Sequence, residues 1–371
     1  MTALGRAWHG AQELTVQVDE ASVKALAFPA LVGQPAVGDR VLLNTTAQNM
    51  GLGTGGYAMV TALPDRLPPD AAPGPGHLVK ARYTPLQTIV LGADEQDSPH
   101  HELLRDADSL SGMPVVTADL HSALPAVCAA ILTDRPGTRI VYVMSDGGAL
   151  PVWFSRTVAE LREAGWLAGT VSVGQAFGGD LEAVTVHTGL LTARLVLDAE
   201  VTILTQGPGN LGTGTRWGFS GVGCGEAVNA AAVLDGRPIG VLRVSEADAR
   251  ARHFGLSHHS LTAYGRVALA PAELALPDEP GPFWDRVRDQ AAPLAERHTL
   301  SKVDCTGLDE ALATSPCRLS TMGRGLDADR ANFLAAAAAG RLAATRLPEP
   351  AAICGKVVAD NGSRKDHSHG A

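Results

Sequence analysis

Aromatic residues make up only 4% of this 371-residue chain. Nucleic-acid binding by base stacking therefore has little material to work with. A formal net charge of −9 adds long-range repulsion of phosphate polyanions. Nucleic acid is not an expected partner. No run of about 18 apolar residues occurs, so no membrane span is expected either. The opening stretch MTALGRAWHGAQELTV lacks the apolar segment of a secretory signal.

Lysine is scarce, with Lys24, Lys80, Lys302, Lys356 and Lys365 as the whole set. None completes G-x-x-x-x-G-K-[ST], which excludes a P-loop NTPase. Neither Lys80 nor Lys302 sits in a context that suggests a pyridoxal Schiff base. The five cysteines (Cys128, Cys224, Cys305, Cys317 and Cys354) are widely spaced and form no C-x-x-C pair. That pattern fits reduced thiols better than a disulfide framework or a zinc ribbon, so a cytoplasmic protein is expected.

What is present is an apolar fraction of 45%, enough for a sizeable core in one or two domains. Residues 1–90 read as β-rich. Leu14–Val18, Arg40–Leu43, Tyr57–Val60 and His77–Ala81 are short apolar or alternating runs, and Pro68 to Gly76 is a Pro/Gly-rich connection. A small barrel or sandwich is expected there. From about residue 110 strands and helices alternate. Strands are expected at Pro114–Thr117, Arg139–Met144, Leu167–Val173, Val201–Thr205 and Pro238–Val244. Helices are expected at Ala123–Leu132, Pro151–Ala164, Leu181–Leu197 and Val222–Leu234. The signal weakens after residue 275, where Asp327 is the expected cap of a last helix running through Ala344. The expected fold is thus α/β: a Rossmann-like, mainly parallel sheet over 91–347 with a small β-rich N-terminal domain. The tail 348–371 is polar and expected to be disordered.

In an open parallel sheet, ligands bind outside the carboxyl ends of the strands. The loops that follow the expected strands are rich in Gly, Asp and His: Asp119 to Ser122, Ser145 to Gly148, Gly174 to Glu182, Gln206 to Ser220, and Ser245 to Ser260. Parallel strands would open all five on one edge.

The most informative of them runs VTILTQGPGNLGTGTRWGFSGVGCGE from Val201 to Glu226. Backbone N–H groups in a glycine loop can converge on an anion, and a following helix N-terminus favours negative charge. Gly207, Gly209 and Gly212 match G-x-G-x-x-G, but so do Gly51, Gly53 and Gly56, where hairpin turns are the simpler account. The expected helix also starts well past the third glycine, unlike the dinucleotide fingerprint. The reading is therefore a more general anion loop, in which Gly207, Gly209, Gly212, Thr213, Gly214 and Thr215 hold the ligand and Arg216 or Arg243 adds charge.

Histidines supply a second candidate. His253, His258 and His259 lie in HFGLSHHS, His100 and His101 follow Pro99, and His121 follows Asp119. Imidazoles and carboxylates from separate loops suit a metal hydrolase, although no H-E-x-x-H or H-x-H marks these positions. The H-x-H at His367 and His369 falls in the tail. Ser257 stands in a near-miss of the G-x-S-x-G elbow, with His259 in place of the last glycine. Cys224 sits near an expected helix start, where either a lowered pKa or plain burial is open to it. Asp146, Asp180 and Glu182 follow strands and could move protons, although Asp180 could equally cap a helix.

The segments GLGTGG (51–56), RYTP (82–85), SDGGALP (145–151), AFGGDLEAV (176–184), GPGNLGTGT (207–215) and SHH (257–259) carry a resemblance. Together they resemble those of a bacterial family known as domain of unknown function 3866. The resemblance spans the chain from near its start to about residue 345, and implies one whole-chain unit with no activity or site residue to transfer.

The functional expectation is an enzyme that binds a phosphorylated or nucleotide-like small molecule at the glycine loop. Asp146, Asp180 or Glu182 and one of His121, His258 or His259 would handle protons. A metal-dependent hydrolase using His121, Asp146, His258 and His259 is the alternative, and a non-catalytic scaffold or regulatory module is the third reading. Cofactor identity, metal content and homo-oligomerisation are left open by the sequence.

Overall fold

The computed structural model describes residues 1–53, 55–70 and 74–349. The expected disordered tail, apart from residues 348 and 349, lies outside them, and so do Cys354, His367 and His369.

Seven strands precede the main sheet. β1 (Ala3–Trp8), β2 (Ala11–Val18), β3 (Ala21–Ala27), β4 (Leu42–Asn44) and β5 (Ala58–Ala62) form one mixed sheet in the order β1-β2-β3-β5-β4. One face closes over Leu14, Val16, Ala25, Ala58 and Val60. β6 (Leu78–Lys80) and β7 (Thr88–Val90) pair separately.

The larger unit is a sheet of eight parallel strands. β8 (Pro114–Ala118), β9 (Ile140–Ser145), β10 (Gly169–Ser172), β11 (Leu181–Glu182), β12 (Val201–Gln206) and β13 (Arg237–Gly240) supply six. β14 (Val244–Ser245) and β15 (Gly255–Leu256) form a small antiparallel pair, and β16 (Glu273–Pro277) and β17 (Thr299–Val303) complete the sheet. Its order is β11-β10-β9-β12-β8-β13-β16-β17. This is the Rossmann-like parallel α/β architecture read from the strand–helix alternation.

Period-2 alternation explains why both faces are covered. Ile140, Tyr142 and Met144 of β9 face one core, together with the helices Leu124–Asp134 and Arg330–Thr345. Val141 and Val143 face the other, with the helices Val186–Leu195 and Gly223–Val233. The helices on the first face pack closely because Gly340 meets the backbone of Val127: a Cβ there would lie 2.4 Å from its carbonyl oxygen.

Three expectations need correction. Leu181 does not open a helix; Leu181 and Glu182 add the edge strand β11 beside β10, and the helix begins at Val186 behind the Thr185 cap. The helix expected from Pro151 is a 3-10 turn over Val152–Phe154 followed by Arg156–Glu163, capped by Ser155. Asp327 sits in a 3-10 turn, and the last helix starts at Arg330 after Asp329. The Asp329 carboxylate is occupied by Ser245 and Arg324, which ties that helix to the loop behind β14.

The N-terminal sheet docks through Trp153. Its indole is flanked by Gly10 and Gly178, at which any Cβ would meet the ring within 2.1 and 2.7 Å. The Trp8 indole N–H donates to the Trp153 carbonyl at 2.6 Å.

Candidate functional site

Because the eight strands are parallel, the loops after β8, β9, β10, β12 and β13 leave from one edge. They do not meet at one point. Two groupings form, and the sequence-derived candidates divide between them.

The first lies at the β10–β11 end. Asp146 Oδ2 accepts from the Gln175 N–H at 2.9 Å, and Asp180 accepts from Thr170 N and Oγ1 while pairing with Arg162 at 3.0 Å. Glu182 is buried beside Lys80, which reaches in from β6. All three carboxylates thus hold loops together. β10 is four places from β13 in the sheet, roughly 19 Å at about 4.8 Å per strand.

The second grouping lies after β8 and β13. Asp119 and Arg243 are 5% and 6% exposed, and Arg243 Nη1 donates to Asp119 Oδ2 at 3.3 Å. His259 Nδ1 lies 2.9 Å from Arg243 Nη1 and 3.4 Å from Asp119 Oδ2. Phe219, from the end of the glycine loop, stacks flat on the His259 ring with centroids 3.7 Å apart. Around this pair the β14–β15 ladder pins both ends of the 246–254 loop, which carries Arg252 and His253. Ser257 then caps the short helix His258–Thr262 by accepting from the His259 N–H, and its Oγ also lies 2.8 Å from His253 Nδ1. That buried serine is a structural cap rather than an exposed nucleophile.

His253, His258 and His259 are brought together, with one ring nitrogen from each within 4.8 Å of the others. Burial lowers His253 to about 3 and His258 to about 4, and nearby cations push both in the same direction. Both rings are therefore neutral at physiological pH, with lone pairs free for a ligand.

His121 is not part of this trio. Its ring nitrogens lie 3.0 Å from Tyr142 Oη and 2.7 Å from Ser155 Oγ, and burial lowers it to about 4. The folded state therefore binds fewer protons than the unfolded chain between pH 4 and 6.5. Stability is full above about 6.5 and is lost as the pH falls toward 4. A shift of that size corresponds to roughly 3 kcal/mol. Urea melts at pH 7 and 4.5 should show His121→Gln losing less stability on acidification than the unsubstituted chain, by roughly 2–3 kcal/mol; equal losses would refute this.

The glycine loop folds as a hairpin. Thr213 N–H donates to the Gly218 carbonyl, Ser220 N–H donates to the Leu211 carbonyl, and Gly212 bridges Phe219. The hydroxyls of Thr213 and Thr215 face each other at 3.1 Å, and Gly207 is pressed against the backbone of Ala149. These N–H groups serve the loop itself. Its two halves then part: Gly209 lines a cavity with His121 and Ser155, whereas Gly214 and Arg216 line another with His258.

The family described as "Protein of unknown function (DUF3866)" matches residues 24–340. The chain belongs to that family. No curated protein and no solved structure matches it. The matched span of this DUF3866 chain contains every residue of the histidine grouping and the cavity beside it.

That cavity, of about 650 Å³, is walled by Arg216, Arg252, Arg266 and His258, with Glu296 as its one carboxylate. Arg266 comes from a π turn at Ala263–Val267 that continues the His258 helix, and such widened turns recur at functional sites. Arg252 passes 3.6 Å from where a Cβ on Gly214 would sit. Among the described residues, Arg216, Arg252 and Arg266 have no carboxylate partner, whereas 13 of the other 21 described arginines do. Arg243, by contrast, is consumed by Asp119. Sequence reading missed Arg252, Arg266 and Asp119 as functional candidates, and it named His253 without placing it at the centre. Asp119, Arg252 and His253 lie in loops already marked as polar and Arg266 in the π turn beyond them; their convergence is a tertiary fact.

Cys224 is buried, and burial raises its thiol above the ordinary range, as it does for Cys128 and Cys305. The packing reading of Cys224 holds over the reactive one.

Proposed function

We propose that this protein is an enzyme acting on a phosphorylated or nucleotide-like small molecule, bound by its anionic group in the cavity between the glycine hairpin and the His258 helix. The observation that carries this reading is the set of three unpaired arginines around one cavity, in a chain whose net charge is −9. Concave sites with a few convergent polar groups beside perturbed histidines are where small-molecule chemistry is found. Guanidinium groups are suited to phosphate oxygens because they donate two parallel N–H bonds. Gly214 and Arg216 contribute to this wall, so the glycine segment meets the ligand at its Gly214–Arg216 end.

The test is titration of inorganic pyrophosphate and ADP into the full chain by calorimetry. Each charge-assisted hydrogen bond is worth about 1.5–3 kcal/mol. Replacing Arg216, Arg252 and Arg266 together by glutamine should therefore weaken binding at least ~100-fold. The three side chains are on exposed residues, so the melting temperature should hardly move. Unchanged affinity in the triple variant, or no binding of either anion by the unsubstituted chain, would overturn the reading.

A further inference from the structure

The histidine trio has a feature that an anion cavity does not require. His258 Nε2 is buried and has no hydrogen-bond partner. A buried imidazole nitrogen left bare costs stability unless something binds it. One ring nitrogen from each of the three lies within 4.8 Å of the others, and each of the other two rings has a tautomer that frees a nitrogen. Ser257 Oγ can accept a hydrogen bond from a protonated His253 Nδ1, which leaves His253 Nε2 with its lone pair. The proton on His259 has two alternatives. Arg243 Nη1 can only donate, so at 2.9 Å it holds Nδ1 as an acceptor and the proton on Nε2; a metal taking Nε2 moves that proton to Nδ1, where Asp119 Oδ2 accepts its hydrogen bond and Arg243 Nη1 gives way. A carboxylate behind an imidazole is the usual support of a metal-ligating histidine, because it fixes the tautomer and raises ligand basicity.

We propose that His253, His258 and His259 bind one divalent first-row transition metal, with zinc the expected ion, and that Asp119 positions His259 for it. Three imidazole donors without sulfur suit zinc, and a three-ligand zinc site keeps a position open for water or substrate. His258 is both a member of the trio and a wall of the arginine cavity, so that open position faces the anion. Metal binding rests on the three imidazoles alone; only the role of the metal as a Lewis acid beside a phosphate ester rests on the reading above.

The experiment is titration of zinc, in competition with a chromophoric chelator, into the untagged full chain after EDTA treatment, repeated with cobalt for its visible spectrum. One equivalent should bind with a tetrahedral cobalt spectrum. His253→Ala and His258→Ala should each weaken it at least ~100-fold, and Asp119→Asn about 10- to 100-fold. Replacing His367 and His369 by alanine should leave the titration unchanged. Zinc should also raise the melting temperature of the unsubstituted chain but not that of His258→Ala, which separates loss of the site from loss of the fold. No stoichiometric binding, or binding that disappears with the two tail histidines and survives in the loop variants, would overturn the proposal. Pyrophosphate titrated into the EDTA-treated chain reads the cavity separately. Retained anion binding with no metal binding would fell the metal site alone.

Discussion

Asp119→Ala is expected to destabilise the chain by about 3–5 kcal/mol at pH 7, the cost of stranding one member of a buried ion pair. Both partners lie under the loops at the sheet edge, and among the described residues Arg243 Nη1 has Asp119 Oδ2 and His259 Nδ1 within reach. Removing the carboxylate leaves a guanidinium without its counter-charge, beside an imidazole that cannot replace it. Burial raises the Asp119 pKa, but Arg243 and His259 outweigh it, so the carboxyl lies below its ordinary range. A depressed folded-state pKa gives stability that is present above the unfolded value near 3.9 and lost as pH falls through the folded one. The gap between Asp119→Ala and the unsubstituted chain in denaturant melts should therefore be full at pH 7 and close below about pH 4. Arg243→Met combined with Asp119→Ala should recover much of the loss, because the double variant buries no charge. A cost below about 1 kcal/mol would mean that water reaches Arg243 and that the pair is not the keystone of this edge.

The parts of the fold that were legible from sequence are those in which local pattern and tertiary fate agree. Ile140 to Ser145 and Val201 to Gln206 are β-branched and apolar on both faces, which is what central parallel strands require. β1 escaped notice because its residues are almost wholly exposed and carry no alternation; it is a strand because β2 pairs with it. β11 departs from the expected helix for a related reason. Leu181 and Glu182 look like the first turn of the helix that follows, and only pairing with Val171 and Ser172 makes them a strand. β16 and β17 lie where the apolar signal thins; ELALP is a strand because it pairs between β13 and β17, and TLSKV because it pairs with β16.

The same division runs through the site. His258 and His259 stood out as adjacent imidazoles after a strand, and the glycine segment stood out by composition. What makes Arg252 and Arg266 notable is that no carboxylate of the described residues reaches them, and that is invisible in a linear chain. Asp146, Asp180 and Glu182 were plausible proton carriers by position alone. The structure gives each of them backbone N–H or cationic partners that hold loops in place.

Lys80→Met is the other substitution expected to cost about 3–5 kcal/mol at pH 7, and its pH dependence separates its two causes. Lys80 is 2% exposed, and its ammonium donates to the carbonyls of Gly174, Ala176 and Ala183 at 2.8–3.0 Å. It thereby stitches β6 to the loop behind β10. Glu182 Oε2 lies 3.5 Å away, while Glu182 Oε1 accepts from the Gly178 N–H. Burial dominates both groups: it raises the Glu182 carboxyl to about 7 and lowers the Lys80 ammonium. A raised carboxyl pKa means that the folded state holds a proton more readily than the unfolded chain. Its contribution to stability is full below about pH 4.5 and is lost as the pH rises through 7. Without the ammonium, Glu182 shifts further upward, and Lys80→Met should cost more at pH 8 than at pH 5. Adding Glu182→Gln should remove that pH-dependent part and leave the loss of three carbonyl contacts, seen as a residual cost that does not change between the two pH values. Denaturant melts of the four proteins of this cycle at pH 5 and pH 8 measure both terms. A cost for Lys80→Met that is the same at both pH values would show that the three carbonyls, and not Glu182, are what the buried ammonium is there to serve.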